Sequence, residues 1–356
     1  MLSIAVQRLH NQQISHSRFQ HPAEVIAWLG AVQAQEYALA KWAIGLRMQT
    51  STDEVIEAAF NKGEILRTHL MRPTWHFVTP TDIRWLLELT APRVHQVNGF
   101  MYRKLELDQV LLHRSADLIA KALEGGKHLT RAELGNILVR NGIDATNGMR
   151  LGYIVHYAEL EGIVCSGARR GKQHTYGLIA ERAPQARRLT RDEALVELTL
   201  RYFTSHGPAT IKDFAWWSGL TIADVKMGLA LLGSQVRQAA VDGETYWFSS
   251  SMPTVSELPT QGYLLPVYDE YTVAYKNRSA FLNPRYEPLP TDRFFISSFA
   301  YKGEVIGRWR RTFTKETVVI QLAPFLPLTS VEQAAFADAA HHFGDFLGMQ
   351  VVYHTT

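Results

Sequence analysis

The sequence predicts an α+β protein: three tandem winged-helix units, each a helix-turn-helix with a β-wing, followed by a C-terminal β-rich domain. Three observations predict it. One order of segments (helix, tight loop, short helix, longer helix, hairpin) recurs three times along the chain, at intervals of about 70 residues, a spacing of duplicated domains rather than of a solenoid. Capping signatures open helices at matching places in the second and third copies. Beyond residue 256 helical periodicity gives way to aromatic, strand-like runs. An all-α chain with incidental hairpins is the competing pattern.

The middle copy is the clearest. Ser115 to Leu123 reads as a helix closed by Gly125-Gly126, and Thr130-Arg-Ala-Glu133 is a capping box that opens a second helix ending at Asn141-Gly142. Leu151, Ile154, Val155 and Ala158 keep helical spacing up to Gly162; "IVCSG", "ARRGKQ" and "HTYGLI" then read as a hairpin. In the third copy Thr190-Arg-Asp-Glu193 caps the first helix and "SHGPAT" breaks it. Thr210-Ile-Lys-Asp213 resembles a second cap, Thr221-Ile-Ala-Asp224 starts the third helix, and two strands flank Asp242-Gly243. The first copy runs Pro22 to Leu29, Glu36 to Arg47 and Thr52 to Phe60, with strands "EILRTHL" and "TWHFVTP" around Arg72-Pro73.

In the last segment "GYLLPVYDEYTVAYKNR", "RFFISSFAYKGEVIGRWRRTF" and "TVVIQLAPF" are strand-like, with Lys302-Gly303 as a turn. Val331 to Phe346 reads as a helix and "MQVVYHTT" as a returning strand, with a barrel-like closure as one option. The expected domains are 1–107 (first winged helix with connecting helices), 108–184, 185–255 and 256–356.

Composition bounds the function. The chain has 356 residues, 46% hydrophobic and 20% charged, enough for ordinary cores. Its single cysteine, Cys165, excludes an intramolecular disulfide and a multi-cysteine zinc site. The histidines show no HExxH-like spacing, so no metal is expected, and no glycine-rich phosphate loop points to a nucleotide cofactor. Neither a signal peptide nor an apolar run of about 18 residues is visible, so a cytoplasmic protein without a membrane partner is expected. A net charge of +3 is too mild to prove nucleic-acid binding; clustering decides.

"GAVQAQEYALAKW", residues 30 to 42, sets two uncharged amides in an apolar neighbourhood. In one continuous helix Gln33 and Gln35 would point about 200° apart. Aligned on the other copies, however, "GAVQAQ" occupies the break between first and second helices. Gly30 then terminates a helix, Val32 to Gln35 is extended, and residues i and i+2 face the same way. Convergence at one site is one reading; tying up orphan backbone groups at adjoining helix ends is the other.

"HPAEVIAWLGAVQAQEY", "ILRTHLMRPTWHFVTPTDIRWLL" and "LLPVYDEYTVAYKNR" resemble the AlkZ/YcaQ-type winged-helix DNA glycosylases, in order and over most of the chain. The resemblance implies three tandem winged helices forming a concave surface, a C-terminal β domain, and a Gln-x-Gln catalytic signature that Gln33-Ala34-Gln35 matches. It implies excision of bulky N7-alkylated purines and, for some members, unhooking of interstrand crosslinks. This chain carries Arg72-Pro73-Thr74 where the glycosylase branch tends to have Arg-Gly-Thr, and Glu36-Tyr37 where Asp-Pro usually follows the signature. Pro73 removes an N–H and fixes φ, so that turn must differ from a glycine turn.

Glutamine is chemically adequate only for some substrates. Glycosidic hydrolysis passes through an oxocarbenium-like state that most hydrolases stabilise with carboxylates. A glutamine carbonyl can orient water but cannot accept a proton at neutral pH. An N7-alkylguanine already carries positive charge and departs without protonation, so water alignment suffices. The expected activity is that of a monofunctional DNA glycosylase without cofactor, acting as a monomer on double-stranded DNA that is alkylated or crosslinked. A non-catalytic DNA-binding protein such as a transcriptional regulator is the alternative.

The DNA-binding candidates cluster on hairpins and helix starts. Arg169, Arg170 and Lys172 surround the middle wing, with His174 beyond; Lys127 and Arg131 flank the second helix of the middle copy; Arg308, Arg310 and Arg311 lie on a C-terminal strand. Arg67, His69, Arg72, Thr74 and His76 nearly alternate in the first wing, so several can share one strand face; they either line a groove beside the glutamines or belong to a half-buried hairpin whose histidines hydrogen-bond locally. Asp269-Glu270 invites reading as a carboxylate dyad, but neighbours on a strand point oppositely, which favours a structural role.

Overall fold

The computed structural model describes residues 3–255, 257–286 and 296–356. Helices and short sheets both contribute, so the chain is of the α+β kind. It divides into two compact units: Met1–Glu57 with Val196–Trp217 and Ile222–Thr356, and Ala58–Leu195 with Ser218–Thr221.

In the second unit the helices Gln109–Leu123, Arg131–Arg140 and Gly148–Leu160 are followed by the strands Val164–Ser166 and Thr175–Leu178. A short strand, Leu129–Thr130, joins the hairpin by pairing with Tyr176 and Thr175. Thr130 and Glu133 form the expected reciprocal cap: the Thr130 hydroxyl accepts from the Glu133 N–H, and the Glu133 carboxylate accepts from the Thr130 N–H at 2.7 Å. The first helix begins earlier than Ser115, because Asp108 caps it by accepting from the Leu111 N–H at 2.8 Å. Leu112, Ile119, Leu134, Leu138, Ile154 and Val164 meet in one buried core under the hairpin. Upstream, the 22-residue helix Ile83–Lys104 accommodates Pro92 in its interior.

That element order recurs along the chain in Arg191–Ser205, Ile211–Ser218 and Ile222–Leu232, then Val236–Val241 and Glu244–Ser249 around Asp242 and Gly243. Both turn residues have positive φ (50° and 79°), as a two-residue hairpin loop requires. Thr190 with Glu193 and Thr210 with Asp213 form the two expected caps.

The C-terminal segment builds a five-stranded sheet in the order Gln350–Thr355, Thr317–Pro324, Glu304–Phe313, Ser298–Tyr301, Gly262–Leu265. Only the pair Thr317–Pro324 with Gln350–Thr355 is parallel, because the helix Ser330–Leu347 between them carries the chain back across the sheet. That helix packs Phe343 and Phe346 edge-on and tilted against Trp42 of the helix Tyr37–Gly45, at 5.1 Å between centroids. A Cβ at Gly45 would fall 2.6 Å from the Phe346 ring, so this approach requires glycine.

One strand expectation is corrected. In "GYLLPVYDEYTVAYKNR" only Gly262–Leu265 is extended, and Glu270–Val273 is a helical turn. Pro266 follows the strand directly, and the Asp269 carboxylate caps the turn by accepting from the Tyr271 N–H at 2.8 Å. Of the strand expected from Arg293 onward, residues 293–295 lie outside the described residues.

Candidate active site around Gln33 and Gln35

The helix Pro22–Leu29 stops at Gly30, whose φ of 86° no L-residue adopts comfortably. The chain then extends through the two-residue strand Val32–Gln33 before the helix Tyr37–Gly45 begins. The glutamines are therefore not on one helix. Ala31, Val32, Gln33 and Ala34 are buried, whereas Gln35 is exposed.

The loop is held from beneath by side chains distant in sequence. The Gln33 N–H donates to Glu270 Oε1 at 2.8 Å, and the Trp217 indole N–H donates to Glu270 Oε2 at 2.7 Å. His206 Nε2 lies 3.5 Å from the same oxygen, and burial above all lowers its pKa. Asp269 accepts two hydrogen bonds from Arg47, at 2.8 and 2.9 Å, with both side chains fully buried. Arg47 also donates to Gln12, which bonds Tyr275; the Arg8 guanidinium lies 3.6 Å from the Tyr275 ring. Asp269 and Glu270 thus serve separate partners, one after the helix Tyr37–Gly45 and one before it, and do not form a dyad.

The first-wing candidates are split by register. In the hairpin Leu66–Leu70 with Thr74–Val78, Arg67 pairs with Phe77, His69 with Trp75, and Thr68 with His76. Directly opposed residues share a face. Arg67 and His69 therefore lie on one face with Trp75, whereas Thr74 and His76 lie on the other with Leu70 and Thr68. Met71, at φ 59°, and the Arg72-Pro73 step set that offset. Arg67 is buried with its guanidinium 4.1 Å from the Trp75 ring, His76 is fully buried, and Arg72 is half-buried.

His69 Nδ1 approaches Glu159 Oε2 at 2.6 Å, and its ring lies 4.0 Å from that of His156. Burial lowers the pKa of His69 to about 3 and that of His156 to about 2, and it pushes Glu159 well above the carboxylate range. Burial thus favours the neutral form of all three groups, beside the buried Arg67 guanidinium.

Among the basic candidates, Lys127, Arg131, Arg170 and Lys172 are exposed. Arg170 contacts the Glu133 carboxylate, which with the Thr130 N–H holds that group down to about 2. Arg169 is half-buried and donates to the Lys172 carbonyl at 2.9 Å. Alternation along Glu304–Phe313 puts Arg308 and Arg310 on one face and Arg311 on the other. Arg310 is exposed beside Gln321, but Arg311 lies over Phe313 and Phe343, and burial lowers its pKa.

Among the described residues, no group of three or more His, Cys, Asp or Glu side chains could hold a metal ion, and no helix is long and apolar enough to cross a membrane.

The family model for AlkZ-like DNA glycosylases matches residues 26–346. The chain belongs to this family. An interstrand DNA cross-link repair glycosylase of Streptomyces sahachiroi is 24% identical over 333 residues, 88% of each chain. The solved structure of the Streptomyces sahachiroi DNA glycosylase AlkZ superposes with a TM-score of 0.84 at 21% identity, covering 99% of this chain and 98% of that one. The AlkZ-like fold therefore spans the molecule.

Sequence reading passed over Glu270 as a contact of Gln33, and over Trp217, Glu159 and His156. Glu159 did leave a trace: it follows Val155 by four residues on a helix whose Leu151, Val155 and Ala158 are buried, a carboxylate on the core stripe. Nothing local marks Glu270, which is 237 residues from Gln33.

Proposed function

We propose that this AlkZ-like protein is a monofunctional DNA glycosylase that hydrolyses the N-glycosidic bond of cationic N7-alkylpurines, bulky adducts and interstrand crosslinks included. The carrying observation is the anchored Gln33-Ala34-Gln35 loop. Its backbone is fixed by Glu270 while Gln35 reaches solvent, where a DNA backbone and a water molecule can be met. Gln33 and Gln35 orient that water toward the sugar C1′; neither has to accept a proton, because the cationic base leaves unaided. The pair is too weak for neutral purines, which supplies selectivity for alkylated bases.

Lys41, one helical turn beyond the loop, donates to Asp53 and Glu57 at 2.7 Å each. That engagement argues for hydrolysis without a Schiff base. The relative's name, a crosslink repair glycosylase, supports the crosslink part of the substrate range.

In this reading the DNA is gripped by three winged helices within the segments 1–107, 108–184 and 185–255, with the β-rich segment 256–356 completing the surface. Lys127, Arg131, Arg169, Arg170, Lys172, Arg308 and Arg310 meet phosphates. Arg72 and Thr74, half-buried at the first-wing turn, are further DNA contacts in this reading, whereas Arg67, His69, His76 and Arg311 pack against protein and hold their own elements together. The protein works as a monomer in the cytoplasm, at the nucleoid.

The test is release of 7-methylguanine from alkylated duplex DNA by wild type and by Gln35→Ala at matched concentration. Gln35→Ala is expected to abolish release while changing DNA affinity less than about twofold. Equal losses of both overturn the assigned role, and sequence-specific operator binding unaffected by the substitution favours a regulator.

A further inference from the structure

Glu270 anchors the Gln33 backbone in the reading above, but no step of the reaction is assigned to it. Its side chain is fully buried, and each carboxyl oxygen is met by a group that can only donate: the Gln33 backbone N–H at 2.8 Å and the Trp217 indole N–H at 2.7 Å. A buried carboxylate is costly to desolvate, and here that cost is offset by two donors that a single neutral amide could not both satisfy. The surrounding geometry sharpens the point. The same Trp217 ring lies 3.6 Å from where a Cβ of Gly30 would be, so one indole supports both the helix terminator and the carboxylate beneath the motif. The neighbouring Asp269 fixes Arg47 on the far side of the helix Tyr37–Gly45. Two consecutive carboxylates thus hold the chain on either side of the helix Tyr37–Gly45, at Gln33 and at Arg47.

We propose that Glu270 is the positioning residue of the Gln33–Gln35 site: its carboxylate fixes the Gln33 backbone and so the direction in which the glutamine amides present water. The proposal rests on the glycosylase reading above. A glutamine at 270 must turn its NH2 toward one of two donor-only groups, so either the Gln33 or the Trp217 contact is lost. An aspartate keeps both acceptors but is one methylene short of reaching both donors.

The experiment is single-turnover release of 7-methylguanine from methylated duplex DNA, with the Kd for the same DNA measured in parallel. Glu270→Gln is expected to lower the excision rate on the order of 10- to 100-fold with Kd changed less than about twofold. Thr329→Ala, which removes the cap of the helix Ser330–Leu347, is the control for lost stability alone.

A wild-type rate in Glu270→Gln, or a loss no greater than in Thr329→Ala, overturns the proposal while leaving the glycosylase reading intact. A wild-type protein that releases no 7-methylguanine overturns both. Should Glu270→Gln fail to fold, Glu270→Asp decides: a partial loss of rate supports the positioning role, and an unchanged rate overturns it.

Discussion

His69 Nδ1 and Glu159 Oε2 stand 2.6 Å apart, with the Glu159 side chain fully buried. Burial dominates on both sides: it lowers the histidine to about 3 and raises the carboxyl well above its ordinary 4.5. A protonated carboxyl donating to a neutral imidazole is the arrangement burial favours, and the nearby Arg67 guanidinium opposes it at Glu159.

The stability consequence has a definite sign. Glu159 has a raised pKa in the folded protein, so its contribution is complete below pH 4.5 and is lost as pH rises toward the folded value. His69 and His156 have lowered values, so theirs is complete above 6.5 and is lost as pH falls toward 3 and 2. Glu159→Gln imitates the protonated acid and has no such loss. Relative to wild type, its unfolding free energy is expected to rise by about 1.4 kcal/mol per pH unit above pH 4.5 until Glu159 titrates. Urea melts at pH 5, 6 and 7 check this; a difference independent of pH would mean that Glu159 is charged in the folded state.

The Arg47–Asp269 pair is fully buried and doubly hydrogen-bonded. Removing one partner strands a charge in the core. Asp269→Asn and Arg47→Met should each cost about 3–5 kcal/mol, and the double variant less than their sum. Denaturant unfolding measures all three, and strict additivity would show that the two side chains are not coupled.

Gly30→Ala isolates the role of the left-handed turn before the glutamines. A Cβ there meets Trp217 at an ordinary 3.6 Å, so the cost is backbone strain at φ 86° and ψ −44°, about 1–3 kcal/mol. The expected outcome is a lower Tm together with slower excision and unchanged DNA affinity. Excision at the wild-type rate would show that the exact path of the loop is unimportant.

Lys172 is exposed at the tip of the middle hairpin. If it contacts a phosphate, Lys172→Ala weakens binding uniformly across sequences and reduces the slope of log K against log salt by about 1. Fluorescence anisotropy across a salt series gives both slopes. Identical slopes would remove Lys172 from the DNA surface.

Features governed by neighbours within a turn or two were legible in the sequence. Thr130 and Glu133 specify a helix start through each other's backbone N–H groups, and Gly30 stops a helix because only glycine tolerates its φ. The repeated order of helices and hairpins follows from such signals, and so does the extended path through Gln33, which a continuous helix would have denied. Tertiary structure decided what those signals do not encode. The offset of the first hairpin separated His76 from His69, because register depends on the turn and on the surface being buried rather than on alternation alone. Asp269-Glu270 became a capped turn gripping Arg47 and Gln33, from partners more than 200 residues away. Burial removed Arg311 from the run of free cations that its neighbours suggest. The local code fixes which elements form and where they end; which side chains lose water, and against what, is settled only when distant elements pack.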